Sequence, residues 1–284
     1  MMTQTNALRN RLREIDAISD EEWQASLAPR KKAELEFHDQ HRDRQAADHA
    51  ACQDTYEKLY GNKKYYAATR RSIDYTEQWI INNSKNKIVL DYACGDGEYA
   101  ILAAKHGAEL AMGLDISPLS VQNARKDASS QNVSDNTYFF QADAENTKLP
   151  NNSVDTIICS GMLHHLDLSY ALPELRRILK PGGKILAVEA LDYNPAIKLY
   201  RMLTPQMRTE WEKAHILSLK DIEFARYFFD IGELKYWHIA GIITPHLPKG
   251  VGDFVHKIDS VLEKIPYFQR MAWIFTFELI KPQN

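Results

Sequence analysis

The sequence predicts a doubly wound α/β fold, in which helices cover both faces of a largely parallel sheet. Two observations indicate this fold. Between Lys87 and about Leu191, short apolar runs alternate with segments of helical period, which is the pattern of β-α-β units. Polar or glycine-containing loops follow several of these runs, as expected where parallel strands end at a ligand site. Because the crossovers between parallel strands are right-handed, the helices lie on both faces of one sheet.

Five apolar runs have the length and composition of buried strands. They span residues 87–90, 110–114, 138–140, 154–158 and 185–188. A helix is predicted from Glu98 to His106, where Gly107 ends it. The next helix is predicted to begin after the second strand, with Ser117 as N-cap and Pro118 as its first residue.

A later helix and two flanking regions complete the organisation. The helix is predicted from Leu172 to Leu179 and ends before Pro181-Gly182-Gly183. Residues 1–84 are charged and helical in period, so we expect an N-terminal helical extension or lid. Residues 85–284 are expected to form the α/β domain, with a helical insertion at about 192–231. The insertion is rich in aromatic residues, which favours a covered pocket for a small molecule.

The composition limits which binding partners and which cellular compartment we expect for this protein. The formal net charge of −3 gives no basic field, so we expect no nucleic-acid partner. The basic run Arg30-Lys31-Lys32 is interpreted as a solvated helix face. The three cysteines form no C-x-x-C pair, and neither a signal peptide nor an apolar stretch of about 20 residues is apparent. We therefore expect a reducing, cytoplasmic setting and no membrane partner.

Polar side chains stand where the predicted strands end. Asp91, Asp115, Asp143 and Ser160 follow the first four strands in turn. Because the carboxyl ends of parallel strands share one edge of the sheet, we expect these side chains to converge there. The loop Gly95-x-Gly97 after the first strand allows a ligand to approach the backbone and a helix N-terminus.

Asp91 discriminates between two interpretations of this glycine loop. A carboxylate immediately before the loop would repel the pyrophosphate of a dinucleotide, which argues against a nicotinamide-dependent dehydrogenase. A ligand that carries an ammonium and a sulfonium suits the position better. Asp115 stands where an acid bonds a ribose diol, and Asp143 where an adenine amino group could be read. The three acids therefore indicate adenosine joined to methionine.

Five segments, in this order, resemble the motifs of class I S-adenosylmethionine-dependent methyltransferases. They are residues 89–97, 113–117, 142–145, 162–166 and 179–183. The last two resemble the ubiquinone-methyltransferase-like (methyltransferase type 11) subgroup. The resemblance implies a Rossmann-like seven-stranded sheet in the order 3-2-1-4-5-7-6, with its last strand antiparallel. Residues 234–238 and 273–279 are well placed for the sixth and seventh strands.

The same resemblance implies S-adenosylmethionine as cofactor. The residues expected to bind it are Asp91, Ala93, Gly95, Gly97, Asp115, Ile116, Asp143, Ala144 and Ser160. Tyr65 is added to this set because it precedes the first strand on a segment that is expected to close over the cofactor.

Three histidines are candidates for contact with the methyl acceptor. His164 and His165 follow the fourth strand, near the expected position of the transferable methyl group, and a histidine can act as general base at neutral pH. In the alternative interpretation, one of them packs or holds the loop. His215 lies in the insertion, where this family often places acceptor-binding residues. The histidines show no ligand spacing along the chain, so no metal site is expected.

These observations favour an enzyme that methylates an oxygen or nitrogen of a small-molecule metabolite, in specialised metabolism. A C-methyltransferase acting on a quinone precursor, and a methyltransferase-like protein that binds without turnover, are the alternatives. The Asn-Pro-Pro-Tyr-like tetrapeptide of enzymes that methylate nucleic-acid bases is absent after the fourth strand, where Cys159-Ser160-Gly161-Met162 stands. The oligomeric state is left open.

Overall fold

The computed structural model describes residues 4–42 and 67–283. Within this part of the chain, seven strands form one sheet in the order β3-β2-β1-β4-β5-β7-β6. The strands are β1 (Ile88–Tyr92), β2 (Leu110–Asp115), β3 (Thr137–Gln141), β4 (Val154–Ser160), β5 (Leu179–Ala190), β6 (Asp230–Trp237) and β7 (Ile274–Ile280). The first five are parallel, and β7 pairs antiparallel with β5 and β6. This topology confirms the sequence prediction.

Helices precede, connect and follow the strands. They are α1 (Gln4–Asp16), α2 (Asp20–Ser26), α3 (Pro29–Arg42), α4 (Arg70–Ser84), α5 (Glu98–Lys105), α6 (Pro118–Ser130), α7 (Leu168–Ile178), α8 (Pro195–Leu203), α9 (Glu210–Ala214), α10 (Leu219–Ala225) and α11 (Lys249–Leu262). None of the helices in the described ranges is both long and apolar enough to cross a membrane.

Different helices cover the two faces of the sheet. On one face, α1, α7 and α10 pack their apolar sides into the core, with Leu12 and Leu175 fully buried. On the other face, α4, α5 and α6 do the same through Ile80, Ala103 and Val121. Burial on both faces explains why the central strands are apolar at nearly every position. The N-terminal extension therefore contributes to the core, through α1, as well as lying over the sheet edge.

Three elements differ from the sequence predictions. Helix α7 begins at Leu168 rather than Leu172, because the Asp167 carboxylate accepts a 2.9 Å hydrogen bond from the Ser169 amide and caps the helix earlier. Strand β5 begins at Leu179 and includes the Pro-Gly-Gly segment. Helix α11, between β6 and β7, was not predicted.

Candidate cofactor and acceptor site

A cavity of about 120 Å³ lies at the carboxyl edge of the parallel strands. The sheet side supplies six of the predicted cofactor residues to its wall: Ala93, Asp115, Ile116, Asp143, Ala144 and Ser160. The opposite wall is formed by α3 and by the 3₁₀ turn Leu163–His165. Cavities that hold a ligand of cofactor size usually measure about 300 Å³ or more. Helix α3 must therefore shift, or its side chains must swing away, before such a ligand fits.

Asp115 is the acid best placed to bind a ligand here. It ends β2 and is only 8% exposed. Its Oδ2 accepts a hydrogen bond from the Gly95 amide and its Oδ1 accepts one from the Ser117 amide, both at 2.9 Å. Each carboxylate oxygen has a second lone pair, so Asp115 retains acceptor capacity on the cavity side. The Asp115 carboxylate thus links the glycine loop to the end of β2 and to the start of the following helix.

Asp91 lies at the end of β1, where its carboxyl group contacts the start of α5. It is almost fully buried, and its Oδ2 accepts a 3.2 Å hydrogen bond from the Ala100 amide at the start of α5. Burial, reinforced by the nearby charge of Asp115, raises the pKa of Asp91 to about 8. Asp91 does not line the cavity. Its observed contact holds the N-terminus of α5 against the end of β1.

The glycine loop is shaped by close packing as well as by turn geometry. Gly97 has φ +81°, and a Cβ atom there would lie 2.5 Å from Cε1 of Phe139 and 2.8 Å from the Cβ of Ala124. Gly95 and Ala93 also have positive φ values, of 51° and 57°. Neither Gly95 nor Gly97 lines the cavity. Gly97 is therefore required for the contact between this loop and β3, whatever its role toward a ligand.

Ser160 and the pair Ile116–Ala144 complete the sheet side of the cavity. Ser160 ends β4 and shares a hydrogen bond with the Tyr99 hydroxyl. The backbone of Ile116 is held in place by α2, because its carbonyl oxygen accepts a 3.3 Å hydrogen bond from the Trp23 indole. Ile116 and Ala144 offer apolar surface beside the acids, as the flat face of a purine requires.

Helix α3 places two cations against the predicted adenine site. Lys31 Nζ lies 2.6 Å from Oδ2 of Asp143 and 2.8 Å from Oε2 of Glu145, and Arg30 also pairs with Glu145. Burial lowers the pKa of Lys31, but the hydrogen bonds and charges of the two carboxylates outweigh burial and raise it overall. The interpretation of this basic run as a solvated helix face was wrong for Arg30 and Lys31, which both line the cavity.

His165 is the candidate base that faces the cavity. Its Nδ1 lies 2.9 Å from Oε2 of Glu34, and Glu34 also accepts a hydrogen bond from the Thr209 hydroxyl. Burial and the adjacent His164 lower the pKa of His165 to about 3. Burial disfavours the Glu34 carboxylate, yet hydrogen bonds from His165, His38 and Thr209 hold its pKa well below the usual range. A neutral His165 therefore donates Nδ1–H to an ionised Glu34, which leaves Nε2 as the basic nitrogen.

His164 belongs to the wall behind the cavity. Its Nδ1 lies 2.7 Å from Oε2 of Glu189, which is 1% exposed and whose Oε1 also accepts the Met162 and Leu163 amides. Burial lowers the pKa of His164, but the charge and hydrogen bond of Glu189 raise it above its ordinary value. These contacts fix the turn after β4, as in the structural interpretation of one of the two histidines.

His215, the third candidate histidine, lies away from the cavity. It is exposed at the end of α9, where its ring stacks on Trp211 with centroids 3.7 Å apart. Tyr65 lies outside the described residues.

Side chains of the types that bind metals meet near this site, although they are dispersed along the sequence. Glu34, His38 and His165 offer ligand atoms within 4.8 Å of one another, and so do His164, His165 and Glu212. In the first group Oε2 of Glu34 already hydrogen-bonds to Nδ1 of His165, at 2.9 Å, and Nε2 of His38 lies 3.6 Å from the same oxygen. The spacing of four residues between Glu34 and His38 on one helix is the sequence signal for this group.

Comparisons with known proteins agree with the fold and the motifs. Residues 89–183 match the family model described as a methyltransferase domain. Taken with the strand order and the cavity at the carboxyl edge, this match identifies residues 89–183 as part of a methyltransferase domain of the class I, S-adenosylmethionine-dependent type. S-adenosylmethionine is the cofactor of that class.

Individual relatives cover parts of the chain. The ribosomal protein L11 methyltransferase of Photobacterium profundum is 33% identical over 131 residues, which are 44% of this chain and 43% of that protein. The chain thus spans less than half the length of the first curated relatives that it matches. The crystal structure of PH0226 from Pyrococcus horikoshii has a TM-score of 0.53 and 19% identity, over 86% of this chain and 98% of that one. The [4+2]-cyclase SpnF has a TM-score of 0.54 and 17% identity, over 74% and 82%. At these sequence identities, the two comparisons show a common fold alone.

Proposed function

We propose that the protein transfers the methyl group of S-adenosylmethionine to an oxygen or nitrogen of a small molecule bound between α3, the turn at residues 163–165 and the sheet edge. One observation carries this proposal. His165, oriented by Glu34, lines the same cavity as Asp115 and Ser160. A base and a set of cofactor contacts therefore face one another across one small space.

The donor set of the cavity suits this cofactor. Asp115 has free acceptor capacity for the two ribose hydroxyls, and Ile116 and Ala144 offer apolar contact to the adenine. Asp143 can accept the adenine amino group once Lys31 has left it. The bound cofactor would supply an electrophilic methyl group on a positively charged sulfur. The acids on this edge of the sheet favour a cation over a phosphate.

The residues of the chain position the acceptor and take up its proton. Methyl transfer needs the acceptor atom at roughly 3 Å from the methyl carbon and in line with the leaving sulfur. A hydroxyl or an ammonium must also lose a proton, and Nε2 of the neutral His165 ring is free to take it up as the methyl group is transferred. The Glu34 carboxylate offsets part of the burial that disfavours the imidazolium. In this respect the proposed roles of Glu34 and His165 resemble the orienting carboxylate and base of other enzymes.

The covered cavity supports a small acceptor. Helix α3 and the turn at 163–165 close the side opposite the sheet, and α9 packs against that turn. A protein side chain is the second candidate acceptor, because the ribosomal protein L11 methyltransferases are among the curated relatives. A fold shared with a [4+2]-cyclase also makes it necessary to measure turnover as well as binding.

Calorimetric titration with S-adenosylhomocysteine, with NADH as comparison, tests the cofactor. We expect micromolar binding of S-adenosylhomocysteine alone, which corresponds to about 8 kcal/mol. Asp115→Ala should abolish it, and Asp135→Ala, at an exposed acid, should not. Binding of NADH without S-adenosylhomocysteine would refute the assignment.

Turnover with radiolabelled S-adenosylmethionine separates the acceptor classes. Label that passes into a pool of small metabolites supports the proposal, whereas label that passes only into ribosomal protein L11 or another polypeptide favours the second candidate. Tight cofactor binding without label transfer to either pool would favour a binding protein or a cyclase-like activity.

A further inference from the structure

A second buried polar cluster lies where the turn after β6 meets α11 and the start of α4. It contains His238, His256, Asp259 and Glu263, with Arg71 beside them. None of these residues lines the cavity described above. The cluster is independent of the proposed function.

Asp259 is a buried carboxylate without a cationic partner in the described ranges. It is fully buried, and its two oxygens accept hydrogen bonds from the amides of Ala240 and Gly241, at 2.6 and 2.8 Å. Burying an ionised carboxylate is unfavourable unless a countercharge is close by. The neighbouring Glu263 already has its countercharge, since both of its oxygens pair with Arg71, at 3.0 and 2.7 Å. The excess negative charge is therefore on Asp259.

Two imidazole nitrogens face this region without a hydrogen-bond partner. The Nδ1 atoms of His238 and His256 are both buried, and neither has a partner among the residues that the structure describes. The other ring nitrogen of His238, Nε2, lies 3.0 Å from the Ser72 hydroxyl, which itself donates to the Thr69 carbonyl. Nε2 of His238 is thus the donor, and its Nδ1 carries a lone pair.

This arrangement is typical of a metal ligand. Histidines that bind metals commonly donate their other ring N–H to a second group, which fixes the tautomer and the orientation of the ring. An unpaired buried polar atom costs about 1–3 kcal/mol, and this cluster contains two of them, the Nδ1 atoms of His238 and His256. The absence of a side chain at Gly241 lets Asp259 and His256 lie close to the backbone, because a Cβ atom there would lie 2.6 Å from Oδ2 of Asp259 and 3.4 Å from Nδ1 of His256.

We propose that this cluster is a zinc site, with His238, His256 and Asp259 as ligands and Glu263 beside them. Two imidazoles and one or two carboxylates form a donor set that Zn²⁺ accepts in tetrahedral geometry. Ligand atoms of His238, Asp259 and Glu263 already lie within 4.8 Å of one another. The ion would join the turn after β6 to α11, and would neutralise Asp259.

Zinc titration of the full chain after chelator treatment tests the proposal. We expect one tightly bound Zn²⁺ per chain, a higher Tm with Zn²⁺ than with EDTA, and tetrahedral absorption bands when Co²⁺ replaces it. His256→Gln keeps the size of a half-buried side chain and should weaken Zn²⁺ binding by about 100-fold or more. Ser72→Ala should weaken it by about 10- to 100-fold, because the orientation of His238 is lost.

Two control variants locate the ion. His38→Gln alters the other histidine–carboxylate group, beside Glu34, and His215→Gln alters an exposed histidine. Both should bind Zn²⁺ like the wild type. The proposal is overturned if the wild type binds no Zn²⁺, in which case a buried water is the better partner for the two nitrogens. It is also overturned if His38→Gln abolishes binding and His256→Gln does not. Titration of the same variants with S-adenosylhomocysteine reports on the methyltransferase site separately.

Discussion

Nζ of Lys31 and Oδ2 of Asp143, 112 residues apart in the chain, lie 2.6 Å from each other at the end of the cavity where the adenine is expected. Both side chains are mostly buried, so this ion pair closes the site from the side of α3. A cofactor that uses Asp143 must first displace Lys31. The N-terminal extension therefore competes with the cofactor for one carboxylate.

Removing this competitor should tighten cofactor binding. We expect Lys31→Met to lower the Kd for S-adenosylhomocysteine by about 5- to 30-fold, since breaking a partly buried ion pair in the wild type costs on the order of 1–2 kcal/mol. The ligand-free protein should at the same time become less stable, because Asp143 loses its cation. Calorimetry and thermal unfolding with and without ligand measure both effects. Lys32→Met, at an exposed neighbouring position, is the control. Weaker binding by Lys31→Met would mean that Lys31 holds the cofactor instead.

The buried carboxyl of Asp91 should make stability depend on pH. Its pKa is about 8 in the folded protein and about 3.9 in an unfolded chain. Between these two pH values the folded protein keeps the Asp91 carboxyl group protonated, whereas the unfolded chain has lost the proton. The contribution of Asp91 to the unfolding free energy is therefore complete below pH 4 and is lost as the pH rises toward 8. Compared with Asp91→Asn, the wild type should lose about 1.4 kcal/mol of unfolding free energy per pH unit in this window. Denaturant titrations from pH 5 to 8 measure the difference. Asp74→Asn, at an exposed acid, should keep the wild-type slope, and parallel curves for wild type and Asp91→Asn would contradict the prediction.

The sheet edge could be predicted from the sequence because its signals are local. Each strand is a short apolar run, and Asp115, Asp143 and Ser160 stand at or beside strand ends whose position follows from the parallel topology. The alternating pattern predicted parallel strands, whereas their order followed only from the resemblance to the methyltransferase family. Residues on this side of the cavity were identified for that reason.

The opposite wall could not be predicted in the same way. Lys31 and Glu34 reach the cavity only because α3 crosses the sheet edge, and nothing in the local pattern specifies that contact over more than 100 residues. The orientation of the Asp91 side chain could not be predicted from the sequence either. A carboxylate before the glycine loop can face a ligand or the first turn of α5, and the sequence does not reveal the hydrogen bond that Asp91 accepts from the Ala100 amide.

His165 should be required for turnover but not for cofactor binding. We expect His165→Asn to lower kcat by about 10²- to 10⁴-fold, as removal of a general base does, with little change in the Kd for S-adenosylhomocysteine. Because burial lowers the pKa of His165 to about 3, its ring is neutral above about pH 4 and should add no acidic limb to the rate profile between pH 6 and 8. Single-turnover rates across this range provide the measurement. His215→Asn, at the exposed histidine, is the matched control. An equal loss in both variants, or none in His165→Asn, would remove His165 from the mechanism.

Substitution of Gly97 in the glycine loop should lower the stability of the folded protein. A Cβ atom at this position would lie 2.5 Å from Cε1 of the Phe139 ring, and a φ of +81° is unfavourable for residues other than glycine. We expect Gly97→Ala to lower the unfolding free energy by about 1–3 kcal/mol, because Phe139 and Ala124 lie in a packed core that cannot move away freely. Gly250→Ala is the matched control, since it lies exposed in α11 with nothing within 4 Å of the new Cβ. That change should be neutral or stabilise by about 0.5–1 kcal/mol, as alanine does in a helix. Chemical denaturation of the two variants distinguishes them, and a Gly97→Ala protein as stable as the wild type would show that β3 can yield to the loop.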